Sequence, residues 1–161
     1  MPRRNLPFLN APVTRSPLLR LLPLVLLVAA ACGGNRPPPA GVPGGPAPDA
    51  VVDKFMKLVE SKEYDQMGWL FGNHGGSVYA IDEPNDVERR MYALATVLRH
   101  RSYTIGNQAQ VPGRSGAAVR MNVRLVNERS TFDVPFIVVR GPEGRWFVEQ
   151  VDVEAVTNAP G

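Results

Sequence analysis

The chain predicts an α+β domain with its helices first and an antiparallel sheet after them, preceded by an export signal and a disordered linker. Three observations carry this. Apolar residues recur every three or four positions from Val51 to Leu98, then every second position from Ser102 onward. Turns at Pro112-Gly113-Arg114-Ser115-Gly116, Glu128-Arg129-Ser130 and Gly141-Pro142-Glu143-Gly144 punctuate the second part at hairpin spacing. Before residue 49 the chain offers no periodic pattern, only an apolar run and then Pro and Gly.

The elements follow in order. Asp49 precedes Val51, Val52, Phe55, Leu58 and Val59 at helical spacing, so it is the expected N-cap of a helix running to about Lys62. Tyr64, Met67, Leu70 and Phe71 continue the period over a shorter helix that Gly72 would end. Residues 72–76 form a loop, and residues 77–81 a short strand. Asn85 with Glu88 three positions later reads as a capping box for a third helix, whose Val87, Met91, Leu94 and Leu98 make a core-facing stripe.

Strands are expected over residues 103–111, 119–125, 131–140 and 145–153. In the second, Val119, Met121, Val123 and Leu125 alternate with Arg120, Asn122 and Arg124, giving a half-buried strand with an arginine face. The third is apolar on both faces, which suits a central or interface strand. Pro135, lacking a donor, argues instead for an edge or a bulge. The tail from Thr157 is expected to fray.

Ahead of the domain, Arg3, Arg4, Arg15 and Arg20 precede an apolar run over residues 21–31 that is too short to span a bilayer. It ends in Ala29-Ala30-Ala31-Cys32, and Cys32 is the one cysteine of the chain. This segment resembles the lipobox of bacterial lipoproteins, with Ala29 where leucine is commonest. The resemblance implies cleavage before Cys32, acylation of its thiol, and a protein anchored in the bacterial cell envelope facing the periplasm. Gly33 in place of aspartate fits outer-membrane sorting. Residues 33–48, rich in Pro and Gly, cannot build a packed element and read as a tether of about 3.1 Å per residue where extended. The domains are therefore signal 1–31, lipidated cysteine and linker 32–48, folded domain 49–156 and tail 157–161.

The cut changes the charge. The whole chain carries 18 Lys and Arg against 15 Asp and Glu, but four of the arginines lie in the signal, which leaves 14 against 15. A near-neutral domain lacks the basic footprint of a nucleic-acid binder. With no second cysteine, apolar burial must hold the fold, and a 44% hydrophobic content permits it.

The order of helices and strands, with Phe55-Met56-Lys57-Leu58-Val59-Glu60-Ser61-Lys62-Glu63-Tyr64-Asp65, then Trp69-Leu70-Phe71 and the closing Gly144-Arg145-Trp146-Phe147-Val148, resembles the nuclear transport factor 2-like superfamily. The resemblance implies three helices wrapped by a curved sheet into a cone, and a fold that hosts enzymes, ligand-binding modules and interaction domains alike. It also implies that any catalysis would use acid and base groups inside the cone, and that dimers would form through the sheet.

Candidate chemistry is sparse. Asp133, Glu149 and Asp152 lie on strands beside arginines, where cross-strand ion pairs account for them. His74, between Asn73 and Gly75 in a loop, could meet a cavity mouth, and His100 sits with Arg99 and Arg101 where cations favour a helix end. Two distant histidines make no metal site. The 72–76 glycines match no nucleotide-binding spacing, and no serine elbow is present, so no cofactor is expected. Trp69, Phe71, His74, Tyr92, Tyr103, Phe132 and Trp146 are the residues that could line a cavity inside the cone.

The leading expectation is a lipid-anchored envelope protein that binds a small apolar ligand or another envelope protein without catalysis. The alternative is a small isomerase or hydrolase acting on an apolar molecule, with His74 and a strand carboxylate as base and acid. A third role is homodimerisation through the sheet. The anchor is directly testable: a single chain binds a membrane marginally whereas two hold stably, so Cys32→Ser should move the protein from the membrane to the soluble fraction on fractionation. Retention of the variant in membranes would contradict the lipobox reading.

Overall fold

The computed structural model describes residues 42–157. The export signal, Cys32 and the first part of the tether lie outside the described residues. The elements are α1 (Pro48–Ser61), α2 (Tyr64–Leu70), β1 (Gly72–Asn73), β2 (Gly76–Ser77), a 3-10 turn (Val78–Ala80), α3 (Pro84–Val97), β3 (Ser102–Gln110), β4 (Ala118–Val126), β5 (Thr131–Arg140), a second 3-10 turn (Pro142–Gly144), β6 (Trp146–Val151) and a closing helical turn α4 (Glu154–Thr157). The main sheet is antiparallel in the order β3-β4-β5-β6, and β1 pairs with β2 as a small hairpin. Helices before and a meander of strands after is the α+β order that the change of period implies.

One face of the sheet is covered by helix. α1 packs against β3, β5 and β6, and α2 lies between α1 and α3. The core joins Val51, Val52, Phe55, Met56 and Val59 of α1 to Met67 and Leu70 of α2, Val87, Met91 and Leu98 on or just beyond α3, and the inward residues of β4, β5 and β6. Phe55 is fully buried and meets the Phe136 ring edge-on at 6.3 Å and the Phe71 ring at 6.2 Å. The stripe expected on the third helix is there: Val87, Met91 and Leu98 are buried, Leu94 is partly buried against the core, and Ala95 joins them.

Both helix starts differ from expectation for one reason. α1 begins at Pro48 and α3 at Pro84, one residue ahead of the predicted caps Asp49 and Asn85, and no side chain caps either end. Proline has no N–H to leave unsatisfied and its fixed φ suits a first turn, so it starts the helix itself. Asp49 and Asp86 lie in the first turns, where the helix dipole favours negative charge. The strand expected over 77–81 is only the Gly76–Ser77 pairing. Beyond it the Ser77 hydroxyl accepts from the Tyr79 N–H (3.3 Å) and donates to the Gly68 carbonyl (2.8 Å), which starts a 3-10 turn instead. Gly72 does not end α2; it opens β1, where a Cβ would lie 2.1 Å from the Gly76 oxygen. The chain after β6 closes as α4 beside β5, ending at the residue where fraying was expected to begin.

Two bulges shape the sheet. In β3, Gly106 and Asn107 together face Asn122, and in β6 the register with β5 shifts at Glu149. A Cβ on Gly106 would stand 2.9 Å from the Asn122 carbonyl oxygen. Pro135 sits in the central strand β5 and resolves its two expectations. Its carbonyl accepts from the Asp152 N–H (2.9 Å), so its nitrogen faces the same way, just past the end of β6 where no ladder donor is needed.

The tether is shorter than its composition implies. Residues 33–48 are expected to be unpacked, yet the Gly44 N–H donates to the Trp69 carbonyl (3.0 Å) and Gly45 exchanges two backbone bonds of 2.8 Å with Trp146. The Arg145 guanidinium donates to the Val42, Pro43 and Gly44 carbonyls at 3.3, 3.2 and 2.7 Å. Proline and glycine cannot build an element, but they expose carbonyls that an arginine and a sheet edge can satisfy. This segment and Gly141 pack on Phe147, which continues the outward row Ala118, Val139, Phe147 and buries it. The second apolar face of β5 is thus partly a seat for the incoming chain.

Candidate functional site

The predicted cavity-lining residues do not converge on one hollow. Phe71, Tyr103, Phe132 and Trp146 pack at the margin of the filled core. Trp69 stacks on Tyr79 with ring centres 4.7 Å apart. Tyr92 is 57% exposed on α3 and meets Tyr64 edge-on at 5.4 Å. His74 is exposed at the tip of the β1–β2 hairpin, beside an Asx turn in which Asn73 Oδ1 accepts from the Gly75 N–H (2.7 Å). Among the described residues Ser77 is the one polar side chain in the buried class, and the titratable pair that meets between helix and sheet, Asp53 of α1 and Tyr103 of β3, is partly exposed.

The carboxylates take the places that the arginine face implies. Asp133 is exposed and lies opposite Arg124, which donates Nε and Nη2 to its two oxygens at 2.9 and 3.0 Å. That pairing holds the Asp133 pKa below the usual carboxylate value. Glu149 is bound by both terminal nitrogens of Arg114, at 2.6 and 3.0 Å. Asp152 is exposed. The acid and base of the catalytic alternative, His74 with Asp133 or Asp152, are all on the surface, and no three His, Cys, Asp or Glu side chains among the described residues converge as metal ligands. Nor is any helix among the described residues long and apolar enough to cross a membrane.

Beside a hollow of about 540 Å³ between the start of α1 and the β3 bulge, lined by Asp49, Asp53, Ile105, Gly106, Asn107, Gln108 and Met121, three others open to solvent. One, of about 400 Å³, runs between the end of α1 and α3 and is lined by Val59, Glu60, Lys62, Tyr64, Tyr92, Ala95, Thr96, Arg99 and His100. A second, of about 460 Å³, shares Thr96, Arg99 and His100 and is completed by Val97, Arg101, Asn127, Glu128 and Arg129, the last three from the β4–β5 turn. Sequence reading set Arg99, His100 and Arg101 at a helix terminus; they follow α3, and the turn carrying Arg129 reaches them only through the sheet. Nothing local to the sequence announces that meeting. A third hollow, of about 250 Å³, lies on the outer sheet face among Val111, Arg114, Arg120, Pro135, Ile137, Gln150 and Asp152.

His100 is held from two sides. Its Nδ1 lies 2.9 Å from the Leu98 carbonyl, which can only accept, so that nitrogen carries the proton. Its ring meets the Tyr103 ring edge-on at 5.2 Å. Its Nε2 is buried and has no hydrogen-bond partner. Tyr103 is itself fixed, since its hydroxyl donates to Asp53 Oδ1 at 2.8 Å, and Lys57 donates to the other Asp53 oxygen at 2.7 Å.

No family model matches the chain, and no curated protein matches it. Among solved structures, a chain titled as a variant of Rd1NTF2_05 is similar at 16% identity and a TM-score of 0.40, over 63% of this chain and 91% of that one. The architecture stands on the strand order and packing described above.

The Tyr103–Asp53 bond ties β3 to α1 and needs a protonated phenol and an ionised carboxylate. Hydrogen bonds from Lys57 and then Tyr103 lower the Asp53 pKa, while burial and then the Asp53 bond push that of Tyr103 up to about 12. Tyr103→Phe should therefore cost about 1 kcal/mol or less in a partly exposed site, by denaturant unfolding. The difference between variant and parent should be full between the usual carboxylate range and about pH 10, the ordinary phenol pKa. It should shrink as pH falls through the lowered Asp53 pKa, and again as pH rises through that of Tyr103. A difference that stays constant from pH 3 to 12 would contradict the assignment.

Proposed function

We propose that this chain is a lipid-anchored protein of the bacterial envelope whose nuclear transport factor 2-like domain binds at its surface and carries out no catalysis. The observation that carries this reading is the filled interior: helices and sheet meet through apolar side chains, and the polar hollows open outward. A small apolar ligand enclosed in a cone would need that space empty. Anchoring through Cys32 places the domain at the periplasmic face, with a tether whose last residues are docked on β6 by Arg145.

A second copy of the chain is the partner that one observation favours. On the outer sheet face Arg120 and Asp152 have no partner among the described residues, and they stand on opposite sides of the half-buried Pro135 and Ile137 of β5. In a two-fold dimer each arginine can face the other copy's aspartate across that apolar strip.

Native mass spectrometry of the full chain released from detergent tests both readings. The expected spectrum contains the acylated chain, with no stoichiometric small-molecule adduct, and a dimer that Arg120→Asp abolishes. An adduct retained on every protomer would contradict surface binding, and a dimer indifferent to Arg120→Asp would contradict the sheet-face contact.

A further inference from the structure

The paired hollows at the end of α3 have a composition that selects a ligand. Lys62, Arg99 and Arg129 line them with no ion-pair partner among the described residues, and Arg101 is held by Glu128 at 3.6 Å with both side chains largely exposed. Against these cations the linings supply two carboxylates, Glu60 and Glu128. Positive charge is therefore in excess on this face of a domain that is otherwise nearly neutral. The shared wall of the two hollows is Thr96, Arg99 and His100, so the free guanidinium and the imidazole ring belong to both.

The other end of the first hollow is different in kind. There Val59 and Ala95 flank the edge-to-face pair of Tyr64 and Tyr92, an apolar and aromatic wall that is half open to solvent. An anion of high charge density alone would leave this wall unused, and an apolar molecule alone would leave the cations unanswered.

We propose that this groove binds a small phosphate ester carrying an aromatic or apolar substituent, with the phosphate at Arg99 and His100 and the substituent against Tyr64 and Tyr92. The planar guanidinium matches two phosphate oxygens. His100 stands beside Arg99 in the same wall, so its ring bounds that side of the phosphate position. Tyr103, fixed by Asp53, keeps the ring in place. The proposal rests on the reading of the domain as a surface binder, and its test reads binding in solution, independent of dimerisation and of the closed interior.

The test is a titration of the full chain in nonionic micelles, followed by amide NMR, with phenyl phosphate, orthophosphate and phenol as probes. Phenyl phosphate should shift amides in residues 59–64 and 92–100 saturably, orthophosphate several-fold more weakly, and phenol without saturation. Arg99→Ala should weaken phenyl phosphate at least about tenfold, since it removes the two-pronged charged contact, and Arg99→Lys less. Arg99 is exposed, so its variants should keep the thermal midpoint of the parent. Phosphatidylglycerol doped into the micelles separates two sources of the same chemistry. Arg99-dependent shifts with that lipid alone identify a headgroup ligand, and their absence beside a phenyl phosphate response identifies a soluble ester. No saturable shift in those segments, or shifts unchanged by Arg99→Ala, would overturn the proposal. Native mass spectrometry bears separately on the surface-binding reading, so the two can fail independently.

Discussion

The contact on which the rest of the domain depends is the meeting of Phe55 with Phe136 and Phe71. It joins α1 to the central strand and to the residue that follows α2, so one side chain couples both helices to the sheet. Emptying such a site costs about 3–5 kcal/mol, a large share of the 5–15 kcal/mol by which a domain is stable. No disulfide is available to relieve that dependence. The consequence reaches function, because the rings that fill the centre are Phe55 and Phe136, and the aromatic side chains that could have lined a hollow stand at its margin or on the surface.

The two ends of the sheet are managed differently. At β6 the edge is covered by Gly45, and Arg145 secures the incoming chain with three donated bonds. At β3 the edge bends away at the Gly106–Asn107 bulge, a device that weakens pairing with stray strands. The docked segment also determines what remains on the outer face: it packs on Phe147, leaving Pro135 and Ile137 between Arg120 and Asp152.

Much of this order was legible in the chain. The strand over 131–140 falls where the alternation puts it, and β3, β4 and β6 begin and end within two residues of expectation, because a period of two is fixed by burial of one face. The helix starts were misplaced by two residues, the caps being Ala47 and Glu83 rather than Asp49 and Asn85, because a proline at the first helical position starts the helix without a capping side chain. The docking of residues 42–45 was not legible, since composition reports what a segment can build alone and not which carbonyls a distant arginine will hold. Spacing likewise could not tell aromatic residues that line a space from those that fill it. The groove escaped for a related reason: Arg99 and His100 adjoin in sequence, while Lys62, Tyr64 and Arg129 reach them only through the fold.

The central claim is that the interior is closed and that binding belongs to the surface. Xenon enters dry apolar cavities large enough to hold it and leaves packed cores alone. Methyl NMR of the protein under xenon pressure, read at Met56, Met67 and Met91 in the core, is the direct measurement. The account predicts methyl shifts no larger than pressure alone produces. Saturating, xenon-specific shifts at those methionines would reveal an internal pocket and contradict it.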